Sequence, residues 1–109
     1  MRIGFMLGLA VVFGLVLLYA QATPGEGEKT YVDKCAPCHA RDGSGDTARG
    51  RTMKVPDLRS AEIQKKTDSQ LMEAIVKGKI HATVNKEVAD ERLLKVVLFL
   101  RTLKPAAKK

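Results

Sequence analysis

The sequence has 109 residues, which is enough for one small domain, and a formal net charge of +7. It contains no Trp, two Tyr and three Phe, so few large side chains are available to fill a core. A basic surface suits nucleic acid, a membrane surface or an acidic protein. No nucleic-acid-binding motif accompanies the charge, and we therefore expect no nucleic-acid partner.

Residues 1–22 have the layout of a secretory signal peptide. A positive start at Arg2 precedes an uncharged apolar run, and Ala20-Gln21-Ala22 offers small residues to a signal peptidase. The run is shorter than the roughly 20 residues that a membrane-spanning helix usually needs. The sequence therefore predicts an exported protein, periplasmic or otherwise extracytoplasmic, whose domain is residues 23–109. An uncleaved leader would instead anchor this domain to a membrane.

The first helices of the domain are predicted from composition and capping residues. Glu28 to Cys35 is predicted as a short helix, and Ser60 to Lys65 as one or two helical turns. A clearer helix begins at Thr67, which forms a capping box with Gln70, and stops at Gly78.

The last helix is predicted to be capped by Asp90 and ended by Pro105. Its apolar residues follow the spacing of one helical face, and they are Leu93, Val96, Val97, Leu100 and Leu103. Leu71, Ala74 and Ile75 share one face of the preceding helix. Because no alternating strand pattern occurs, we predict an all-α fold.

Two stretches, residues 41–50 and 79–89, are predicted as loops. Asp42 to Asp46 faintly resembles a calcium-binding loop. However, Thr47 stands where such a loop needs Gly, and Met53 stands where it needs Glu. We interpret this stretch as a turn.

Cys35-Ala36-Pro37-Cys38-His39 is a Cys-x-x-Cys-His motif, the pattern of covalent haem attachment. Two thiols at this spacing add to the two haem vinyl groups, and the adjacent imidazole can then ligate the iron. A thioredoxin-like pair would need a βαβ context, which is missing, and a zinc site would need a second Cys pair. The motif therefore favours one covalently attached haem c.

The chain resembles the class I cytochromes c. That family has a Gly eight residues and an aromatic four residues before the first Cys, which correspond to Gly27 and Tyr31. An aromatic of the family's last helix packs against the first helix, and Phe99 fits it. Pro56 resembles the proline whose carbonyl accepts a hydrogen bond from the ligating His, here His39, and raises its basicity. The resemblance implies a small all-α fold wrapped around one haem.

The second iron ligand departs from the family pattern. The family usually carries a Met before the last helix, and His81 falls on that position, with one residue missing upstream and Ala82 in place of a Pro. The resemblance therefore implies His39 and His81 as iron ligands. Met53 or Met72 moving in, or an open sixth position, are the alternatives.

The resemblance also implies a monomeric single-electron carrier, not an enzyme, that serves redox partner proteins. The net positive charge favours partners with acidic docking surfaces. Candidate contact residues near the family's haem edge are Lys54, Lys77, Lys79 and Lys86. The alternative is a haem c enzyme, or a protein that binds peroxide or a small gas at an open sixth iron position. Contact with a membrane is expected only if the leader is uncleaved.

Overall fold

A computed structural model of the chain describes residues 25–106. The helices are α1 (Glu26–Lys34), α2 (Ala36–His39), α3 (Ala48–Met53), α4 (Ala61–Gln64), α5 (Asp68–Lys77), α6 (Ala82–Glu87) and α7 (Asp90–Leu100), with a 3-10 helix (Lys79–His81) between α5 and α6. No strand occurs within residues 25–106, so the predicted all-α fold is confirmed. None of the helices in this range has the length and apolar character to cross a bilayer. The predicted leader lies outside the described residues.

The core is built where α1 packs against α7. A Cβ atom on Gly27 would lie 2.2 Å from the backbone oxygen of Lys95, so only glycine permits this close approach. Tyr31 is fully buried, and its ring centroid lies 5.2 Å from that of Phe99. The predicted packing of Phe99 against the first helix is therefore confirmed. Buried around this contact are Leu93, Val96, Val97 and Leu100.

Gly27→Ala is expected to destabilise the protein strongly, because the added methyl group would force α1 and α7 apart. We expect the free energy of unfolding to fall by about 3 kcal/mol, the upper end for overpacked sites. Denaturant titration of the purified protein measures the loss. Gly25→Ala is the matched control, since nothing lies within 4 Å of a Cβ at Gly25. Equal stability of the two variants would contradict the proposed close contact.

The fifth helix begins and ends as predicted. The Thr67 hydroxyl accepts from the Gln70 amide at 3.1 Å, and the Gln70 side chain accepts from the Thr67 amide at 2.8 Å. The last residue of the helix is Lys77, and Gly78 is its C-cap. Arg101 fixes the start of α5 to the end of α7, because it donates to Asp68 at 2.9 and 3.1 Å. These contacts place the apolar face of α5 beside the core.

Both predicted loops contain helix, which corrects the sequence interpretation. Residues 41–47 do form turns, but α3 begins at Ala48, because the Thr47 hydroxyl accepts from the amide of Gly50 and caps it. The predicted loop over residues 79–89 is wrong, since a 3-10 helix and α6 occupy most of it. Each of these helices is too short to show an apolar period, so hydrophobic periodicity could not reveal them.

The limits of the last helix also differ from the prediction. Ala89 is the residue that precedes it, and Asp90 is its first residue and makes no side-chain cap. Asp90 still lies in the first turn, where a carboxylate interacts favourably with the helix dipole. The helix ends at Leu100, well before Pro105, and the next residues continue as turns.

Candidate haem-binding site

The Cys-x-x-Cys-His motif forms a single helical turn. Cys35 follows the last residue of α1 and precedes the first residue of α2. The amide of His39 donates to the Cys35 carbonyl at 2.9 Å. Pro37 lies in the first turn of α2, where its missing N–H costs nothing. Positions three and four residues apart share one helical face. As a result, Cys35, Cys38 and His39 all line the same cleft.

Three hydrogen bonds hold the carbonyl groups of the last two residues of the motif and of Ala40, which follows it. The Thr47 hydroxyl donates to the Cys38 carbonyl at 2.8 Å, and the Gly45 amide donates to the His39 carbonyl at 2.8 Å. The buried Tyr31 hydroxyl donates to the Ala40 carbonyl at 2.6 Å. Ala40 has a φ of 65°, a conformation that costs an L-residue energy. The surrounding bonds therefore keep the chain in a turn that directs His39 into the cleft.

The cleft has a volume of about 320 Å³ and is walled mainly by apolar side chains. Its walls come from the motif, from the extended segment before α4, from α4 and α5, from the 3-10 helix and α6, and from α7. The apolar side chains that line it include Val55, Leu58, Ile63, Leu71, Ile75, Val84, Leu93, Val96 and Leu100. A large flat apolar group such as a haem suits walls of this kind, because burial removes its surface from water.

His39 and His81 come together in this cleft. Their ring centroids are 6.3 Å apart, and the ring planes are inclined by 29°. The Nδ1 atom of each ring is buried without a hydrogen-bond partner among residues 25–106. Burial lowers the pKa of His39, and the nearby His81 lowers it further, so neutral imidazole with a free lone pair is favoured. Two orphaned imidazoles beside two thiols fit the ligand requirements of a covalently held haem.

Pro56 lines the cleft, as expected, but the predicted hydrogen bond from His39 to its carbonyl is not made here. The Nδ1 atom of His39 has no partner among the described residues. Pro56 is also exposed, whereas the ring of His39 is half-buried. The expected orienting contact therefore stays a prediction for the haem-loaded protein.

The two cysteines are free thiols that border the cleft. Burial raises the pKa of Cys35 to about 11, and the nearby Cys38 adds to the shift. A thioredoxin-like cysteine needs the opposite change, a lowered pKa that yields thiolate at neutral pH. The environment of Cys35 therefore disfavours the redox-pair interpretation.

The two methionines of the domain differ in their access to the cleft. Met53 borders the cleft and is 40 % exposed. Met72 lies in α5 and is absent from the residues that form the cleft wall. His81 is the residue whose ring approaches that of His39, and so it is better placed than Met72 as the second ligand.

Sequence reasoning missed the part that three residues play in the site, and it predicted Gly78 only as a helix stop. Thr47 binds the Cys38 carbonyl and also caps α3. Asn85 donates to the end of α5, and Gly78 leaves room for the His81 ring. The Thr47 cap is a local pattern that the sequence could have revealed, because Thr is a favoured N-cap residue. The roles of Gly78 and Asn85 depend on contacts with other segments and leave no local pattern.

Comparison with known families gives one match. The family model for cytochrome c matches residues 25–104. This chain belongs to the cytochrome c family. No curated protein and no solved structure matches it. Members of the family bind haem c covalently, so membership supports a haem-binding, electron-carrying role for this chain. The matched region contains the whole Cys-x-x-Cys-His motif and His81.

Proposed function

We propose that the protein carries one haem, attached through Cys35 and Cys38 and ligated by His39 and His81, and passes single electrons between redox proteins outside the cytoplasm. The haem supplies the redox chemistry, because its iron alternates between ferrous and ferric states. The chain would attach it through two thiols, supply two imidazole nitrogens to its iron and surround it with apolar side chains. No substrate needs to be bound.

The separation of the two imidazole rings carries this proposal. A metal–imidazole bond is about 2 Å long and the ring centroid lies about 1 Å further on, so two imidazoles across one metal have centroids about 6 Å apart. The observed separation of 6.3 Å agrees with this value. His81 also occupies the family's position for the second ligand. These two independent arguments favour a bis-histidine iron site.

The cleft leaves part of its wall open to solvent, which supports exchange of electrons with partners. Ile80 borders the cleft while 66 % of its surface is exposed, and Met53 is 40 % exposed. Electron-transfer complexes are small and transient, and they need only a limited contact area. An exposed apolar edge beside the cofactor meets that requirement.

Basic residues near this edge support an acidic partner. Lys54 and Lys34 border the cleft. Lys79 of the 3-10 helix and Lys86 of α6 are exposed. Lys34 and Lys77 are paired with the carboxylates of Glu87 and Glu73, which leaves less of their charge for a partner. Among the four candidate contact residues, Lys54 is the one that borders the cleft.

We expect oxidation of the ferrous protein by the hexacyanoferrate anion to slow as salt is raised. Exposed charges are screened beyond about 8 Å at physiological ionic strength. Lys54→Ala should lower the low-salt rate about two- to fivefold, because it removes a positive charge beside the cleft. Lys29→Ala, which removes an exposed charge of α1, is the matched control. Stopped-flow kinetics measure both rates, and a rate independent of salt would refute electrostatic steering.

Export is inferred from residues 1–22 alone. Sequencing the N-terminus of the protein purified from its native cell shows whether the leader is cleaved. A mature chain that starts at Thr23 indicates a released carrier, and a chain that starts at Met1 indicates a membrane-anchored one.

Absorption and paramagnetic resonance spectra of the purified ferric protein test the function. Two nitrogen ligands should give a low-spin iron, and a reversible one-electron titration should follow. Cyanide should bind slowly to the ferric protein, and carbon monoxide should bind slowly to the ferrous protein, because no iron position is free. Rapid binding of either ligand would favour the alternative, an enzyme or small-gas-binding protein with an open sixth position.

A further inference from the structure

His81 lies on a short segment between two long helices. The segment consists of the 3-10 helix Lys79–His81 and α6, and it joins α5 to α7. A helix of six residues is not stable by itself, so its position must come from contacts with the rest of the protein. Gly78, just before the segment, and Asn85, within it, make contacts of this kind.

Gly78 leaves the space that the His81 ring occupies. A Cβ atom on this residue would lie 2.8 Å from the His81 Nδ1 and 2.8 Å from the Ala74 carbonyl oxygen. Its backbone has a φ of −67° and a ψ of 120°, which any residue can adopt. The need for glycine is therefore one of space and not of conformation. A larger residue must displace the imidazole or the end of α5.

Asn85 ties the segment to the end of α5. Its Nδ2 atom donates to the carbonyl oxygens of Ile75 at 2.9 Å and Val76 at 3.0 Å. The last carbonyls of a helix lack partners within the helix, so Asn85 satisfies two of them. Its Oδ1 atom is buried without a partner among the described residues. The contact therefore uses only the N–H donors of the amide, which an aspartate cannot supply.

A second polar contact of this segment, with the first helix, is weaker. Lys34 contacts Glu87 at 2.6 Å, but the two side chains are 35 % and 47 % exposed. Exposed ion pairs of this kind contribute little to stability because water and salt screen them. The amide of Asn85 is therefore the stronger restraint on the segment that carries His81.

We propose that Gly78 and Asn85 are positioning residues that keep His81 directed at the iron, and that they determine how slowly an external ligand enters. This inference rests on the proposed bis-histidine ligation. An external ligand can bind only while His81 is displaced, so its rate follows the fraction of molecules with the segment open. Loss of either restraint raises that fraction.

The test is the rate of cyanide binding to the ferric, haem-loaded protein. Asn85→Asp keeps the shape of the side chain and removes both donors, and we expect the rate to rise about tenfold or more. Gly78→Ala should raise it as well. Thr83→Asp adds the same charge at an exposed site of α6, and Gly25→Ala adds a methyl group in open space. Both of these controls should keep the parent's rate.

His81→Ala separates failure of this inference from failure of the proposed function. If His81→Ala binds cyanide rapidly while Asn85→Asp and Gly78→Ala keep the parent's rate, His81 is a ligand but the positioning role is refuted. If His81→Ala itself keeps the parent's rate, the bis-histidine proposal fails and the positioning role fails with it.

Sensitivity to denaturant provides the second readout. If the segment opens locally, the cyanide rate should change little at low denaturant concentrations, because little surface is exposed on opening. A rate that rises with denaturant as steeply as the global unfolding constant would mean that the whole protein opens, and the two residues then have only a structural role. The paramagnetic resonance spectrum of Gly78→Ala should also shift, since a displaced imidazole changes the field at the iron. An unchanged spectrum would contradict the positioning role of Gly78.

Discussion

A protein in which both Cys35 and Cys38 are replaced by Ala is expected to lose covalently attached haem entirely. Thioether bonds survive unfolding, whereas haem held only by ligation and apolar contacts is extracted into acidified organic solvent. Both thiols border the cleft within one helical turn of His39, so each is placed to attach the cofactor. Each single variant should keep one bond and accumulate less haem-loaded protein. Denaturing electrophoresis with haem staining, together with solvent extraction, measures the covalent fraction.

Pro37→Ala is the matched control for this experiment. It changes an exposed residue between the two cysteines and leaves both thiols and His39 in place. It should therefore retain covalent haem. Haem that partitions into the solvent from the parent protein would refute covalent attachment, whatever the variants do.

The attachment motif could be predicted from sequence because its chemistry is local. Cys35, Cys38 and His39 lie within five consecutive residues, and any helical turn brings them to one face. The long-range contact of the first and last helices was also predictable, but for another reason. Gly27 leaves the space that the backbone at Lys95 occupies. A glycine at this position of the family pattern therefore indicates where the two helices touch.

The segment around His81 was predictable only in part. The position of His81 followed from the family pattern, and the structure brings its ring to 6.3 Å from that of His39. The helices that carry it were missed, because six residues with few apolar side chains show no period. Its restraints were missed as well, since Asn85 acts on carbonyls nine and ten residues away in another helix.

The Pro56 hydrogen bond shows what a family pattern does not predict. The pattern places Pro56 correctly at the cleft wall, but it does not fix the orientation of the His39 ring. That orientation depends on several contacts at once, including the turn at Ala40 that Tyr31 holds. A resemblance therefore identifies which residues meet more reliably than it identifies which of their atoms are bonded.

His81→Met is expected to raise the reduction potential of the haem. A thioether stabilises ferrous iron relative to ferric iron more than an imidazole does, and Met/His ligation therefore gives higher potentials than two histidines. Axial ligands and their surroundings set potentials over a range of about 0.8 V, and we expect a rise on the order of 100 mV. Potentiometric titration followed by absorption measures the shift.

His81→Ala provides the second half of this prediction. Removing the imidazole should open the iron to cyanide, imidazole and carbon monoxide, and added imidazole should restore a spectrum close to that of the parent. Thr83→Ala is the control, because it changes an exposed residue two positions away in the same segment. It should alter neither the potential nor ligand binding. If the Met and Ala variants at position 81 both keep the parent's spectrum and potential, another group binds the iron, and Met53 at the cleft edge becomes the next residue to replace.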